Sequence, residues 1–274
     1  MALIVIGILV GFSSGLLGIG GGFLMVPLQY FLLTSIGLDP DLALRISIGT
    51  SLAIIVPTTL SGAYTHQHNL KNILLPGVLL GIFGMIGGIL GGIVSSHLPV
   101  DILEIILGIA LIFVAITMFI DRENRLSKES KLSIYKGVFF GIFVGFFSGL
   151  LGIGGGIVLI PILVFLLGFS MRKAVGISSI FISLTAIGGV ATYIATGWGI
   201  NTIVFSLGYV NLIHLGVIAM FSIPTAHFSS KLVYKMPEKR LKQIFAIVLM
   251  YLGINLLGLE LSSIFLRILS ILGI

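Results

Sequence analysis

One motif occurs twice in this chain, and each copy places a helix-breaking cluster inside a long apolar stretch. GFSSGLLGIGGGFLMVPL begins at Gly11 and GFFSGLLGIGGGIVLIPI begins at Gly145, 134 residues later. Each copy contains a Gly-Ile-Gly-Gly-Gly cluster followed by a proline, Pro27 or Pro161. Repeated interruptions of apolar helices are typical of membrane transporters, whose substrates bind where the helices are broken.

The composition predicts an all-α polytopic membrane protein. Of the 274 residues, 57% are hydrophobic and only 9% are charged, and the mean hydropathy is +1.24. Soluble domains are about a quarter charged. Apolar stretches of about 20 residues recur along the chain, which is long enough for helices to cross a bilayer, and they lack the alternation of barrel strands. The first stretch follows no basic segment, so we expect a permanent span and not a cleaved signal.

The order of these stretches predicts two repeats, residues 1–120 and 134–274, joined by a charged linker at 121–133. Each repeat begins with a glycine-broken stretch, at 2–36 or 134–167. The later spans are predicted at 46–64, 73–94, 102–120, 174–196, 203–229 and 241–257, and a short apolar tail at 264–274 has no counterpart. The repeat extends beyond the motif, because GTSLAIIVPTTLSGA from Gly49 aligns with GISSIFISLTAIGGV from Gly176.

The distribution of Lys and Arg predicts how the repeats are oriented. If each broken stretch enters the membrane and returns as a helical hairpin, 13 basic residues fall on the side of the linker and only Arg45 on the other, leaving Arg267 in the tail aside. Basic residues collect in cytoplasmic loops. We therefore expect two inverted repeats, each a glycine-broken hairpin plus three transmembrane helices, with the N-terminus outside and the linker in the cytoplasm. The sequence leaves open whether the hairpins are re-entrant or cross fully.

The glycine clusters suit an anion-binding site. Backbone that is not helical is tolerated at membrane depth only where it is buried in protein or lines a cavity. Each break also begins a new helix, whose first N–H groups are free and carry partial positive charge. No carboxylate lies near the middle of a predicted span, which disfavours a cation as substrate.

Hydroxyl groups near the breaks could complete the shell of donors that an oxyanion needs. We expect the substrate to contact glycines of both clusters and serine or threonine residues beside them. These predicted substrate-binding residues are Ser14, Gly18, Gly20, Gly21, Gly22, Thr50, Ser51, Ser148, Gly152, Gly154, Gly155, Gly156, Ser178 and Ser179. Spaced glycines, in contrast, let helices pack closely, and this is our interpretation of Gly84, Gly88 and Gly92.

Several other polar residues have two interpretations. Gln29, Asn211, His214 and His227 either form hydrogen bonds between helices or contact a substrate or proton. Arg45 is either a surface anchor or a guide for anions at the entrance. His66, His68 and His97 are expected in solvated loops. Without cysteine, and with few clustered histidines, the sequence predicts no metal site and no cofactor.

The doubled GFxSGLLGIGGGxxxxPxL motif, with Gly49-Thr50-Ser51 and the weaker Gly176-Ile177-Ser178, resembles the TauE/SafE family of membrane permeases over essentially the whole chain. The resemblance implies a secondary transporter in the plasma membrane for sulfite or organosulfonates. The second half departs from the first at Ile177, where Thr50 has a hydroxyl.

The function we predict is alternating-access transport of a small sulfur-containing oxyanion held at the two breaks. The expected partners are this anion and the lipid bilayer, together with further copies of the chain if it forms a homo-oligomer, but not nucleic acid. Two alternatives stay open: a passive anion channel, and a non-transporting scaffold or membrane enzyme. No catalytic residues stand out, so an enzyme is not predicted.

Overall fold

A computed structural model describes residues 2–95, 133–199 and 205–257, together with residues 109, 112, 115 and 116. The described part is mainly helical. Its first four helices are α1 (Ala2–Leu17), α2 (Gly22–Ser35), α3 (Pro40–Asn69) and α4 (Leu74–Ser95). The breaks between α1 and α2 lie in the glycine cluster, as the motif predicts.

The second half begins with α5 (Ile134–Leu151) and α6 (Gly156–Pro161), which continues as a π-helical turn (Ile162–Leu166). The remaining elements are α7 (Met171–Thr196), a small hairpin of β1 (Ser206–Leu207) and β2 (Val210–Asn211), then α8 (Leu212–Leu232) and α9 (Glu238–Leu256). The hairpin corrects the predicted span at 203–229. Its turn needs Gly208 at φ +57°, and the span starts only after Asn211.

Five of these helices, α3, α4, α5, α7 and α8, are long and apolar enough to cross a membrane. This agrees with an all-α membrane protein. The predicted span at 102–120 lies outside the described residues apart from the four isolated positions, as do most of the linker at 121–133 and the tail at 264–274.

The two halves exchange helices in the same way. Helix α1 packs on α8 of the other half, and α5 packs on α4. Glycines let the backbones approach: Gly11 faces Ser222, and Gly145 faces Gly84. Gly84, Gly88 and Gly92 all lie against neighbouring helices, so their predicted packing role is confirmed. The long helices α3 and α7 lie side by side between these pairs.

Candidate functional site

Left-handed glycines form both breaks. In the first break φ is 67° at Gly18, 83° at Gly20 and 74° at Gly21. The corresponding residues of the second break, Gly152, Gly154 and Gly155, have φ of 68°, 89° and 70°. Residues with a Cβ rarely adopt this conformation, so the clusters need glycine at these positions. All the glycines of both clusters are buried.

The two breaks contact each other through their backbones. A Cβ placed on Gly22 would lie 2.6 Å from the carbonyl oxygen of Gly152. Reciprocally, a Cβ on Gly156 would lie 2.7 Å from the carbonyl oxygen of Gly18. Any larger residue at Gly22 or Gly156 would therefore push the two breaks apart.

Two serines fix this arrangement by hydrogen bonds between the halves. The Ser51 hydroxyl on α3 donates to the Gly152 carbonyl at 3.0 Å, and the Ser178 hydroxyl on α7 donates to the Gly18 carbonyl at 2.7 Å. Ser51 and Ser178 are separated by 127 residues, the same offset as Gly49 and Gly176. Each long helix thus supports the break of the other half.

Two isoleucines lie beside the central glycines. A Cβ on Gly20 would be 3.2 Å from Ile182 and 3.5 Å from Ile55, and one on Gly154 would be 3.0 Å and 3.5 Å from the same two side chains. Sequence reasoning missed this pair. The signal was present, because Ile55 and Ile182 also share the 127-residue offset.

The breaks present free amide groups. Among the described residues, none accepts a hydrogen bond from the backbone N–H groups of residues 19–23 or 153–157. The first bonds of the new helices come later: the Met25 N–H donates to the Gly21 carbonyl at 3.2 Å, and the Leu159 N–H donates to the Gly155 carbonyl at 3.0 Å. Each break therefore holds several unbonded donors in buried backbone, and buried donors are normally paired.

The predicted hydroxyl donors divide into two groups. Ser51 and Ser178 bond the opposite break, and Ser179 donates within its own helix to Val175 at 2.9 Å. Thr50 accepts a hydrogen bond from the Asn211 N–H at 2.9 Å.

Ser14 and Ser148 are the second group. Both are buried, and neither hydroxyl has a hydrogen-bond partner among the described residues. The Cβ of Ser148 lies 3.0 Å from the position that a Cβ on Gly155 would take. The unbonded hydroxyls are therefore the equivalent pair next to the breaks.

The other predicted polar residues lie away from the breaks, in contacts between helices. Gln29 is fully buried, and its Oε1 lies 3.2 Å from Nδ1 of His214, while its Nε2 has no described partner. Asn211 caps α8 by accepting from two backbone N–H groups at 3.0 Å. Nδ1 of His227 lies 3.0 Å from the Thr65 hydroxyl.

The expectation of a solvated loop is wrong for His66. This residue lies in the last turn of α3 and is fully buried, with Nδ1 2.8 Å from the Tyr234 hydroxyl. His68 is exposed but also helical, and His97 lies outside the described residues. Loop assignment failed because α3 continues to Asn69, five residues beyond the predicted end of its span.

Arg172 lies near Tyr234, which follows α8. Burial raises the pKa of Tyr234 to about 12, although the positive charge of Arg172 acts in the opposite direction. The Arg172 guanidinium donates to the Met236 carbonyl at 2.8 Å, and its buried Nε has no described partner. Within the described ranges, no group of three His, Asp or Glu side chains is placed to hold a metal ion.

Comparison with known proteins agrees with this architecture. The family described as Sulfite exporter TauE/SafE matches residues 3–256. A probable membrane transporter protein of Haemophilus influenzae is 31% identical, over 92% of this chain and 96% of its own length. Another, from Methanocaldococcus jannaschii, is 32% identical over 93% of this chain and 94% of its own. No solved structure gives a significant match. The match over nearly the whole chain shows that this protein belongs to the TauE/SafE family of membrane transporters.

Proposed function

We propose that this protein is a secondary transporter of small sulfur-containing oxyanions, sulfite or an organosulfonate, in the plasma membrane. The observation on which the proposal depends is the pair of buried glycine breaks whose amide N–H groups have no described acceptor. An oxyanion offers several acceptor oxygens and no strong donor. Free amides at helix starts match that chemistry.

The substrate would bind beside the crossing of the two breaks. The amides of residues 19–23 and 153–157 would donate to its oxygens, and the hydroxyls of Ser14 and Ser148 would add one donor from each half. Ser51 and Ser178 would hold the breaks in place, and Ser179 and Thr50 would support the surrounding helices. The name of the family supplies the sulfur chemistry, and the site supplies the preference for an anion.

Contacts at the ends of α3 and α7 support an inverted relation of the halves. Near the start of α3, a Cβ on Gly49 would lie 3.1 Å from Tyr193, which is near the end of α7. Near the start of α7, a Cβ on Gly176 would lie 3.2 Å from His66, near the end of α3. The two helices therefore run in opposite directions, as expected for halves that are inverted in the membrane.

The same contacts support the proposed topology, with the N-terminus outside and the linker at 121–133 in the cytoplasm. Positive-inside counting assigns Arg172 and the segment after α8 to the cytoplasmic side. Arg172 bonds Met236 and lies near Tyr234, so residues assigned to one side are together. Alternating access would then result from small movements of one half against the other around the crossed breaks.

Transport and its site can be tested in proteoliposomes with purified protein. We would measure counterflow of radiolabelled sulfite, sulfate and methanesulfonate, because a carrier shows counterflow and a passive channel does not. We expect saturable counterflow for sulfite or methanesulfonate. Absence of counterflow for all three anions would contradict the proposal.

Ser14→Ala and Ser148→Ala test the site itself. Because neither hydroxyl has a described partner, its removal should leave the fold intact. A lost hydrogen bond to an anion costs about 1.5–3 kcal/mol, which corresponds to a rise in Kd of about tenfold or more. The matched control is Ser179→Ala, whose hydroxyl bonds its own helix. Equal affinities in all three variants and the parent would contradict the assignment of Ser14 and Ser148.

A further inference from the structure

The two ends of the α3–α7 pair contain matched groups. Arg45 and Arg172 are 127 residues apart, as are His66 and Tyr193. At one end, the Tyr193 hydroxyl donates to Ser95 at 2.9 Å, and Arg45 is close enough to act on it electrostatically. At the other end, His66 contacts Tyr234, which has Arg172 near it. Each contact joins α3 or α7 to the end of a helix of the other half.

The matched contacts differ in one chemical respect. Tyr193 and Ser95 are both hydroxyls that stay neutral around pH 7, whereas the imidazole of His66 binds and releases protons in this range. The imidazole end is the one that positive-inside counting assigns to the cytoplasm. Only one of the two contacts can therefore respond directly to protons near neutral pH.

His66 is placed to hold a proton close to the first break. Its ring lies beside the backbone of Gly15 on α1, three residues before Gly18. Its Nε2 has no hydrogen-bond partner among the described residues, although the side chain is fully buried. A buried polar atom of this kind is costly unless it serves a state in which it is paired.

The surroundings of His66 favour its neutral form while the contact with Tyr234 is closed. The positive charge of Arg172 on α7 lies near Tyr234, and α1 contributes only backbone. On α8, His227 bonds Thr65, the residue before His66. Among the described side chains, the acids Asp39 and Asp41 are at the opposite end of α3, so no carboxylate opposes these groups.

We propose that His66 is the proton-binding residue of the transport cycle, and that its contact with Tyr234 closes the cytoplasmic end. This inference rests on the proposed transport function. With the contact closed, the neutral phenol of Tyr234 donates to Nδ1, and the single proton of the imidazole is on Nε2. When the contact opens, Nδ1 accepts a proton from water and His66 becomes an imidazolium. Re-formation of the contact returns that proton to water, so each cycle couples one proton to one anion.

The experiment compares His66→Gln with the parent in the proteoliposome assay. Coupling to one proton means that a gradient of one pH unit drives about tenfold accumulation of the anion. We expect this accumulation in the parent and its loss in His66→Gln, while sulfite counterflow, which needs no net proton movement, persists. The matched control is His68→Gln, an exposed histidine on the same helix, which should behave like the parent.

The outcomes separate this inference from the proposed function. Counterflow in the parent together with equal pH-driven accumulation by His66→Gln would overturn the inference and leave the transport function standing. Absence of counterflow in the parent would overturn both.

A second variant covers the case in which His66→Gln loses all activity. Tyr234→Phe removes the hydroxyl that contacts Nδ1 but leaves His66 able to bind a proton. We expect it to keep counterflow and to show a shifted pH profile of uptake. An unchanged profile in Tyr234→Phe would overturn the inference.

Discussion

The two halves of this protein repeat their backbone more faithfully than their polar side chains. Both breaks use the same left-handed glycines, and Ser51 and Ser178 bond the opposite breaks in the same manner. In contrast, the buried Gln29 of the first half corresponds to the apolar, buried Leu163 of the second. The repeated part builds the crossing of the breaks. The unmatched polar groups give the two ends different chemistry, which a transporter needs if its two sides are to respond differently.

The strongest test of the repeated part concerns the glycines that join the halves. Gly149→Ala would place a Cβ against the backbone carbonyl group and Cα of Gly88, and Gly15→Ala would place one against Ala226, Ser229 and Ser230. Overpacking of this kind costs on the order of 1–3 kcal/mol or more. We expect both variants to lower the apparent unfolding temperature in detergent substantially and to a similar extent.

Gly216→Ala is the control for this comparison, because its added Cβ meets no atom within 4 Å. We expect no loss of stability there. If Gly149→Ala were as stable as this control while Gly15→Ala was not, the two helix pairs would not be equivalent.

A smaller effect is expected from the serines that cross between the halves. Ser51→Ala and Ser178→Ala would each leave a buried glycine carbonyl without its serine donor, at a cost of about 1–3 kcal/mol. Ser179→Ala should cost less, because its acceptor is a carbonyl of its own helix. Thermal unfolding of the three purified variants checks this order, and a Ser179→Ala effect equal to the other two would contradict it.

A cap that belongs to one half only gives the next test. The Asn211 side chain accepts from the N–H groups of Ile213 and His214 at the start of α8. Removal of such a cap costs about 1 kcal/mol. We therefore expect Asn211→Ala to lower the unfolding temperature modestly, and Asn211→Asp, which keeps the accepting oxygen, to restore most of the loss. Equal destabilisation by both variants would show that the cap is not the cause.

The sequence was sufficient for the elements that follow from composition and glycine placement. A cluster of four glycines in five residues cannot continue a helix easily, so the breaks at Gly18 and Gly152 were predictable. The internal repeat also predicted that Ser51 and Ser178 would be equivalent. The sequence did not indicate that their hydroxyls would bond the opposite breaks, because that contact depends on how the halves pack.

Contacts between distant polar residues were the part that sequence reasoning could not obtain. His66 was assigned to a loop because polar residues surround it, yet its partner Tyr234 lies 168 residues away. The hairpin before α8 was missed for a related reason, since its strands have only two residues each and give no periodic signal. Both features belong to the ends of the α3–α7 pair, where the halves differ.

The smallest expected effect concerns one of these ends, and it is seen only at high pH. The pKa of Tyr234 is raised by burial to about 12 from its usual value of 10, so the folded protein holds this proton more tightly than the unfolded chain does. The resulting stability is fully present below pH 10 and is lost as the pH rises through 12. Because Tyr234 is only partly buried, we expect about 1 kcal/mol at most. Unfolding of the parent and Tyr234→Phe in detergent should therefore converge between pH 9.5 and pH 11.5. A difference between them that stays constant over this interval would show that proton binding by Tyr234 makes no contribution to the stability of this end.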